Sequence, residues 1–535
     1  MWKNLDSCEA FSLLKRISPP SLAPLLTGEG AKDRINKYSI SMGHDMHYNY
    51  AAKKVNDKII DVLQTLSEEQ ELLSKYELLR KGEVINTGEN RMVLHHLTRC
   101  FSSNPVYYKE QDVHKFYMEE LEKIRRFVDD VHNHKICSSS GEPFNNVVQL
   151  GIGGSDLGPR CLYIALESYA QSVGAEKMKA HFISNVDPED CVSVLSKVDI
   201  SHTLFILVSK SGNTEETLAN QDLVLKFLAL NGIKDAKKNI ALVTSSTSPL
   251  AYDASYLASF FIDDFIGGRY SSTSACGALI LSLSFGNKVF AELLEGVAIV
   301  DKNATLANIR ENAPLMDALI GVYECSVLGY EASAVLPYTQ NLSRFPAHLQ
   351  QLDMESSGKA VNRNFESISY PTGPIIFGEP GTNGQHSFYQ FLHQSAKVVP
   401  LQFIAFRESV LSQKVPSKVS KDELEFFQCI KENHKRLLTH LVAQIYAFAV
   451  GKDDANKNKH FEGERPSSLI YGKVLDALSL GMLLSHFENK VMFQGFLWNI
   501  NSFDQEGVQL GKTLAKKIRA GDVDEGLTAF ANLLL

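Results

Sequence analysis

Residues 350–359 read Gln-Gln-Leu-Asp-Met-Glu-Ser-Ser-Gly-Lys, and within them Gln351 and Glu355 stand four positions apart. On a helix that spacing points both side chains from one face. A carboxylate beside an amide can hold a sugar hydroxyl and move a proton, although a solvated polar face has the same pattern. Pro346 suits the first turn of such a helix and Gly358 its end. A second cluster, Ser209-Lys210-Ser211-Gly212-Asn213-Thr214-Glu215-Glu216-Thr217, follows the apolar run 203–208. Asn213 is placed to cap the next helix, Glu216 to complete a box-like arrangement, and Ala219, Leu223 and Phe227 to mark its buried face. Hydroxyls gathered at a helix N-terminus suit a phosphate monoester, and plain capping is the simpler alternative.

Three further segments have the residue types for chemistry. The run 147–150 enters Gly151-Ile152-Gly153-Gly154-Ser155-Asp156, where three glycines in four positions let the backbone approach a ligand. A dinucleotide fingerprint fails because its sixth position is Asp156. A small anion, a sugar or a merely tight corner remains. Gly267-Gly268-Arg269 presents one guanidinium behind two glycines, which could steady an oxyanion. The glycine-rich stretch 379–387 reads as an irregular turn carrying His386, and a lone histidine is more often structural. Residues 503–513 approach a phosphate-loop pattern, but Glu506 stands where glycine is required, so Lys512 needs a role other than binding a triphosphate.

These side chains need elements to position them. Residues 38–99 read as a mostly helical preface, with Val55, Ile59, Val62 and Leu63 at helical spacing, and 113–131 as an amphipathic helix. Short β-rich runs at 147–150, 180–184, 203–208 and 239–244 then alternate with helical stretches, as in a parallel sheet covered by helices. A polar stretch at 301–312 suggests a boundary. The alternation resumes at 332–338, 373–377 and 398–406, residues 409–422 look like a surface excursion, and the tail returns to helices, including 437–450. The expected fold is α/β, divided into a helical extension (1–110), a first α/β domain (111–300), a second (301–500) and a C-terminal segment (501–535).

The 535 residues are 44% apolar and 22% charged, an ordinary globular composition. With 54 Lys+Arg against 62 Asp+Glu the net charge is -8, which argues against a protein that coats nucleic acid or anionic membrane. Basic residues must therefore act locally. The eight cysteines form no C-x-x-C pair, which fits a reducing, cytoplasmic setting. Asp6 and Glu9 interrupt any export signal, and the apolar stretch 276–285 is too short to span a bilayer.

Taken in order, GIGGSDLGP, SKSGNTEET, GGRYS, QLDMESSGK, GTNGQHSFYQ and SFDQEGVQLGK resemble the glucose-6-phosphate isomerase family. Residues 82–86 and 89–95 resemble the family's segment ahead of its first sheet, so the likeness covers roughly residues 38–515. It implies two sugar-isomerase (SIS) domains built as αβα sandwiches, a homodimer with shared active sites, and interconversion of glucose 6-phosphate and fructose 6-phosphate. No metal, cofactor or nucleic acid is implied. Glu355 then matches the base that moves a proton through a cis-enediol, and Arg269 the cation beside the enediolate. His386, supplied by the neighbouring subunit, and Lys512 match the ring-opening groups. Gly154, Ser155, Ser209, Lys210, Ser211, Thr214, Gln351 and Gln505 match substrate contacts. Gln509 stands where the family usually has glutamate, and Ser272-Thr273 are smaller and more polar than common. A phosphosugar-binding sensor would keep the 209–217 loop without Glu355, His386 and Lys512 together. The isomerase half of an amidotransferase would need a nucleophilic N-terminal cysteine, a role Cys8 does not fit.

Overall fold

The computed structural model describes residues 2–99, 104–412 and 420–535. Cys100, and residues 413–419 of the expected surface excursion, lie outside the described residues. The N-terminal region is helical over Asp57–Glu69 and Leu72–Arg80, the first of these capped by the Asn56 side chain. It also contains a hairpin that the helical expectation missed, β1 (Ser39–Gly43) and β2 (Met46–Asn49). The signal was there. Ile40, Met42, Met46, Tyr48 and Tyr50 alternate and are buried, and Gly43 and His44 take positive φ at the turn.

The first sheet holds β3 (Asn146–Leu150), β4 (Lys179–Ile183), β5 (Thr203–Val208), β6 (Ile240–Thr244) and β7 (Ala258–Phe261), all parallel, in the order β7-β6-β5-β3-β4. β5 and β6 are buried along their whole length, which is why they read as unbroken apolar runs. The second sheet repeats the plan with β8 (Ala332–Pro337), β9 (Ile375–Phe377), β10 (Leu401–Phe406) and β11 (Ser467–Gly472). Its order is β1-β2-β11-β10-β8-β9. In each sheet the chain steps from one strand to a neighbour on one side, then crosses to the other side. The crevice this opens lies between β3 and β5, and between β8 and β10. β1 and β2 join the second sheet antiparallel, with Asn49 opposite Leu469 and His47 opposite Tyr471.

Two helices, Asn287–Asn303 and Ala477–Leu497, pack along each other in the interior, the second buried over nearly its whole surface. Small residues let their backbones meet: a Cβ on Gly481 would run into the Leu293 carbonyl, and one on Gly296 into the Leu478 carbonyl. Asp301, in the polar stretch expected at a boundary, lies at the end of the first helix and is buried against Arg99, Ser485 and Asn489. The Thr273 hydroxyl meets Thr98 at 2.7 Å and accepts from the Arg99 Nε at 3.4 Å, which accounts for its polarity. No helix among the described residues is long and apolar enough to cross a membrane.

The helix pair generates a stability prediction. Alanine is favoured over glycine in a helix by roughly 1 kcal/mol, but the carbonyl facing Gly481 is backbone and has no rotamer to swing away. Gly481→Ala should therefore lower the denaturant midpoint, with a loss of about 1–3 kcal/mol typical of overpacking. An unchanged or raised midpoint would contradict the close contact.

Candidate active site

The loops after β3 and β5 flank the crevice of the first sheet, where open α/β sheets bind ligands. After β3, Gly153 (φ 60°) and Gly154 carry the chain through a short turn into the helix Leu157–Val173. Gly154 is forced by contact, since a Cβ there would collide with the backbone of Gly268. A Cβ on Gly153 would lie 3.3 Å from the Gln351 side-chain nitrogen. The first glycine loop therefore touches both the arginine turn and the segment carrying Glu355.

After β5, Ser209 is buried and its backbone N–H donates to the Val243 carbonyl at 3.0 Å. Its hydroxyl donates to the Thr214 hydroxyl at 3.1 Å. Here the structure corrects the expected cap. Thr214, not Asn213, precedes the helix Glu215–Leu230, and the Thr214 side chain makes no cap hydrogen bond. Asn213 instead donates its backbone N–H to Ser211 Oγ at 3.2 Å, and Glu216 forms no capping box. The first turn is therefore left without a side-chain cap, which suits an anion better than an internal cap would. Lys210 reaches across to donate to the Ile266 carbonyl at 3.3 Å and lies 3.6 Å from Asp264, which is also 3.6 Å from Arg91.

Arg269 is only 1% exposed. Its Nε donates to Ser356 Oγ at 2.7 Å, Nη1 to Glu355 Oε2 and Gln505 Oε1 at 3.1 Å each, and Nη2 to the carbonyls of Ser502 at 2.6 Å and Asp504 at 3.0 Å. All five guanidinium hydrogens thus have acceptors. Glu355 comes from a helical segment that is α over Phe345–Leu349, π over Gln350–Met354 and α again over Glu355–Ser357. Pro346 stands in the first turn of that segment and Gly358 ends it. A π turn widens the helix and often marks a functional site. Behind it, burial raises Asp353 to about 6 against the pull of Lys490, and burial holds His348 down to about 4.

Gly154, Gln351, Glu355, Arg269 and Gln505 are thus brought together, and Lys210 ties the second loop to the arginine turn. Ser155 lies in the first loop and Ser211 on the exposed rim of the second. His386 and Lys512 stand apart. Both are exposed, and no hydrogen bond or ion pair among the described residues joins either to the cluster. The segment before His386 is a short helix, Gly381–Gln385, rather than the expected irregular turn. Its glycines serve close packing, since a Cβ on Gly381 would strike the Tyr338 ring. Lys512 lies on the helix Gln509–Ala520, exposed like Gln509 at its start, and Arg519 of that helix pairs with Glu215 at 2.5 Å. Ser356, Lys359, Asp504 and the Ser502 carbonyl were not singled out from the sequence, although all lie inside or beside the motifs.

The family model described as Phosphoglucose isomerase matches residues 49–529. The chain is 56% identical over 539 residues to the glucose-6-phosphate isomerase of Treponema denticola, covering all of both chains. It is 46% identical to that of Borreliella afzelii, covering all of this chain and 99% of the other. A crystal structure of a glucose-6-phosphate isomerase from Chlamydia trachomatis superposes with a TM-score of 0.89 at 36% identity over the full length of both chains. A match of this extent places the chain in the phosphoglucose isomerase family.

Proposed function

We propose that the crevice between β3 and β5 interconverts glucose 6-phosphate and fructose 6-phosphate, with Glu355 as the base and Arg269 as the cation beside the reacting carbons. The observation that carries this reading is the 3.1 Å contact of Glu355 with Nη1 of a guanidinium otherwise held by protein acceptors. Nε and Nη2 are occupied by Ser356 and two backbone carbonyls. The Nη1 edge, whose acceptors are Glu355 and Gln505, is the edge presented to substrate.

The phosphate rests on the uncapped helix N-terminus with the hydroxyls of Ser209, Ser211 and Thr214 and the ammonium of Lys210. The backbone of Gly154, with Ser155, Gln351 and Gln505, holds the sugar hydroxyls. Lys512 and His386 assist ring opening by moving the proton between the anomeric hydroxyl and the ring oxygen. In the open aldose, the Glu355 carboxylate takes the C2 proton while the electron pair moves to the carbonyl oxygen, giving the cis-enediolate. The Nη1 edge of Arg269 stabilises that developing oxyanion. Glu355 returns the proton to C1 as the C2 hydroxyl gives up its proton and becomes the carbonyl, that proton passing to the C1 oxyanion; the net result is one hydrogen moved from C2 to C1 and one from O2 to O1, with no redox partner.

We propose further that the enzyme is a cytoplasmic homodimer whose sites each use His386 of the second copy. In support, His386 is exposed and has no hydrogen bond or ion pair to the cluster among the described residues, and the C-terminal helices expose Leu510, Phe530 and Leu533 at 68%, 72% and 76%. The seven described cysteines are all free, as suits a reducing compartment.

Glu355→Gln should cut turnover by about 10³-fold or more, at the upper part of what general bases contribute, while KM changes little. Near-normal turnover would remove Glu355 from the role. Turnover of fructose 6-phosphate should also be insensitive to a chelator. Ser209→Ala with Thr214→Ala should raise KM for the sugar phosphate by about 10-fold or more, the cost of losing roughly 1–2 kcal/mol of hydrogen bonding. An unchanged KM would put the phosphate elsewhere. Finally, mixing inactive Glu355→Gln with inactive His386→Ala should restore part of the activity on subunit exchange, because hybrid dimers regain one site with both native residues. No recovery, with exchange verified by mass, would place His386 in the same subunit as its Glu355.

A further inference from the structure

We propose that Asp504, paired with Lys359, is a positioning residue that aims Arg269 at the substrate; this rests on the role of Arg269 given above. Nη2 of Arg269 depends on two carbonyls, Ser502 and Asp504, that belong to one short irregular stretch of chain. Such a stretch has no helix or sheet ladder to hold its carbonyls in place. The Asp504 side chain supplies the restraint.

Its carboxylate forms an ion pair with Lys359, and Lys359 Nζ also donates to the Asp504 carbonyl at 3.0 Å. The other carboxylate oxygen accepts from Asn501 Nδ2 at 2.6 Å, and the same amide reaches Asn86 Oδ1 at 2.9 Å. Asn86 in turn donates to the Phe503 carbonyl at 3.3 Å. Gly88 seats this arrangement, since a Cβ there would strike the Asp504 carboxylate. The side chains of Lys359 and Asp504 are 16% and 12% exposed, so the pair is largely shielded from water.

The result is a closed ring. Glu355 contacts Arg269, Arg269 donates to the Asp504 carbonyl, Asp504 pairs with Lys359, and Lys359 lies four residues beyond Glu355, just past the end of its helical segment. Base and oxyanion cation are therefore registered to each other through one ion pair that touches no substrate. The pair also neutralises Lys359, leaving Arg269 as the cation at the reacting carbons.

The test is a double-mutant cycle read as kcat and KM for fructose 6-phosphate, with thermal unfolding measured on each variant. Asp504→Asn should lower kcat on the order of 100-fold, as expected for a misplaced catalytic group, with KM within about threefold of the parent. Adding Asp504→Asn to Arg269→Ala should cost little more, because residues acting as a unit are non-additive. Normal kcat for Asp504→Asn, or a full multiplicative loss in the Arg269→Ala background, would overturn the inference while leaving Arg269 in its role. A near-normal rate for Arg269→Ala would instead overturn the reading of Arg269, and this inference with it. If Asp504→Asn does not fold, Lys359→Met serves in the same cycle with the same expected outcomes, and Lys359→Arg should retain most of the rate.

Discussion

A fully buried guanidinium is the constraint around which this site is organised. An uncompensated charge out of water costs several kcal/mol, so the fold must bring an acceptor to every hydrogen of Arg269. It draws them from two distant parts of the chain: Glu355 and Ser356 from the π-containing helix, and, from the 502–505 stretch, the Gln505 side chain and the Ser502 and Asp504 carbonyls. Satisfying one charge thus fixes the relative positions of Glu355, the Gln505 amide and the 502–505 stretch. The Gly154–Gly268 contact adds the first loop, and Lys210 adds the second.

Much of this was legible in the sequence because parallel strands buried on both faces must be unbroken apolar runs. β5 and β10 consist entirely of buried residues and stood out on that account. The motifs after the strands stood out because glycine and hydroxyl residues at strand ends are uncommon without a tight turn or a ligand. The hairpin of β1 and β2 did not, since its alternating pattern sits beside strongly helical segments and its strands are short. The 381–385 helix was misread because glycine was taken as a sign of turn geometry, whereas the Tyr338 ring demands the absence of a Cβ there. The Asn213 cap failed for a similar reason: propensity named the better capping residue, but the Ser209 hydroxyl holds Thr214 one position later. Asp504 and Lys359 were invisible because their importance lies in a pairing across 145 residues that no local spacing encodes.

The protein carries a net charge of -8 yet belongs to a family whose substrates are sugar phosphates. Long-range steering therefore gives such a substrate no help, and affinity must come from short-range donors within about a Debye length. In the proposed site that burden falls on the helix N-terminus, Lys210 and Arg269. Asp264 beside Lys210 restrains it: a lysine 3.6 Å from a carboxylate and bonded to the Ile266 carbonyl samples solvent less than a free one.

The antiparallel addition of β2 to β11 joins Asn49 to Leu469, a separation of 420 residues. During synthesis at about 5–20 residues per second, the hairpin waits on the order of 20–80 s for the strand it must pair with. The first sheet, drawn from residues 146–261, has no such dependence and can assemble as it emerges. Throughout that interval β2 presents an unpaired edge with Met46 and Tyr48 uncovered, the kind of template that other chains extend. The architecture that seals the second sheet in the finished enzyme thus makes its completion one of the last events of biogenesis, and makes the newborn chain a client for whatever guards exposed strand edges.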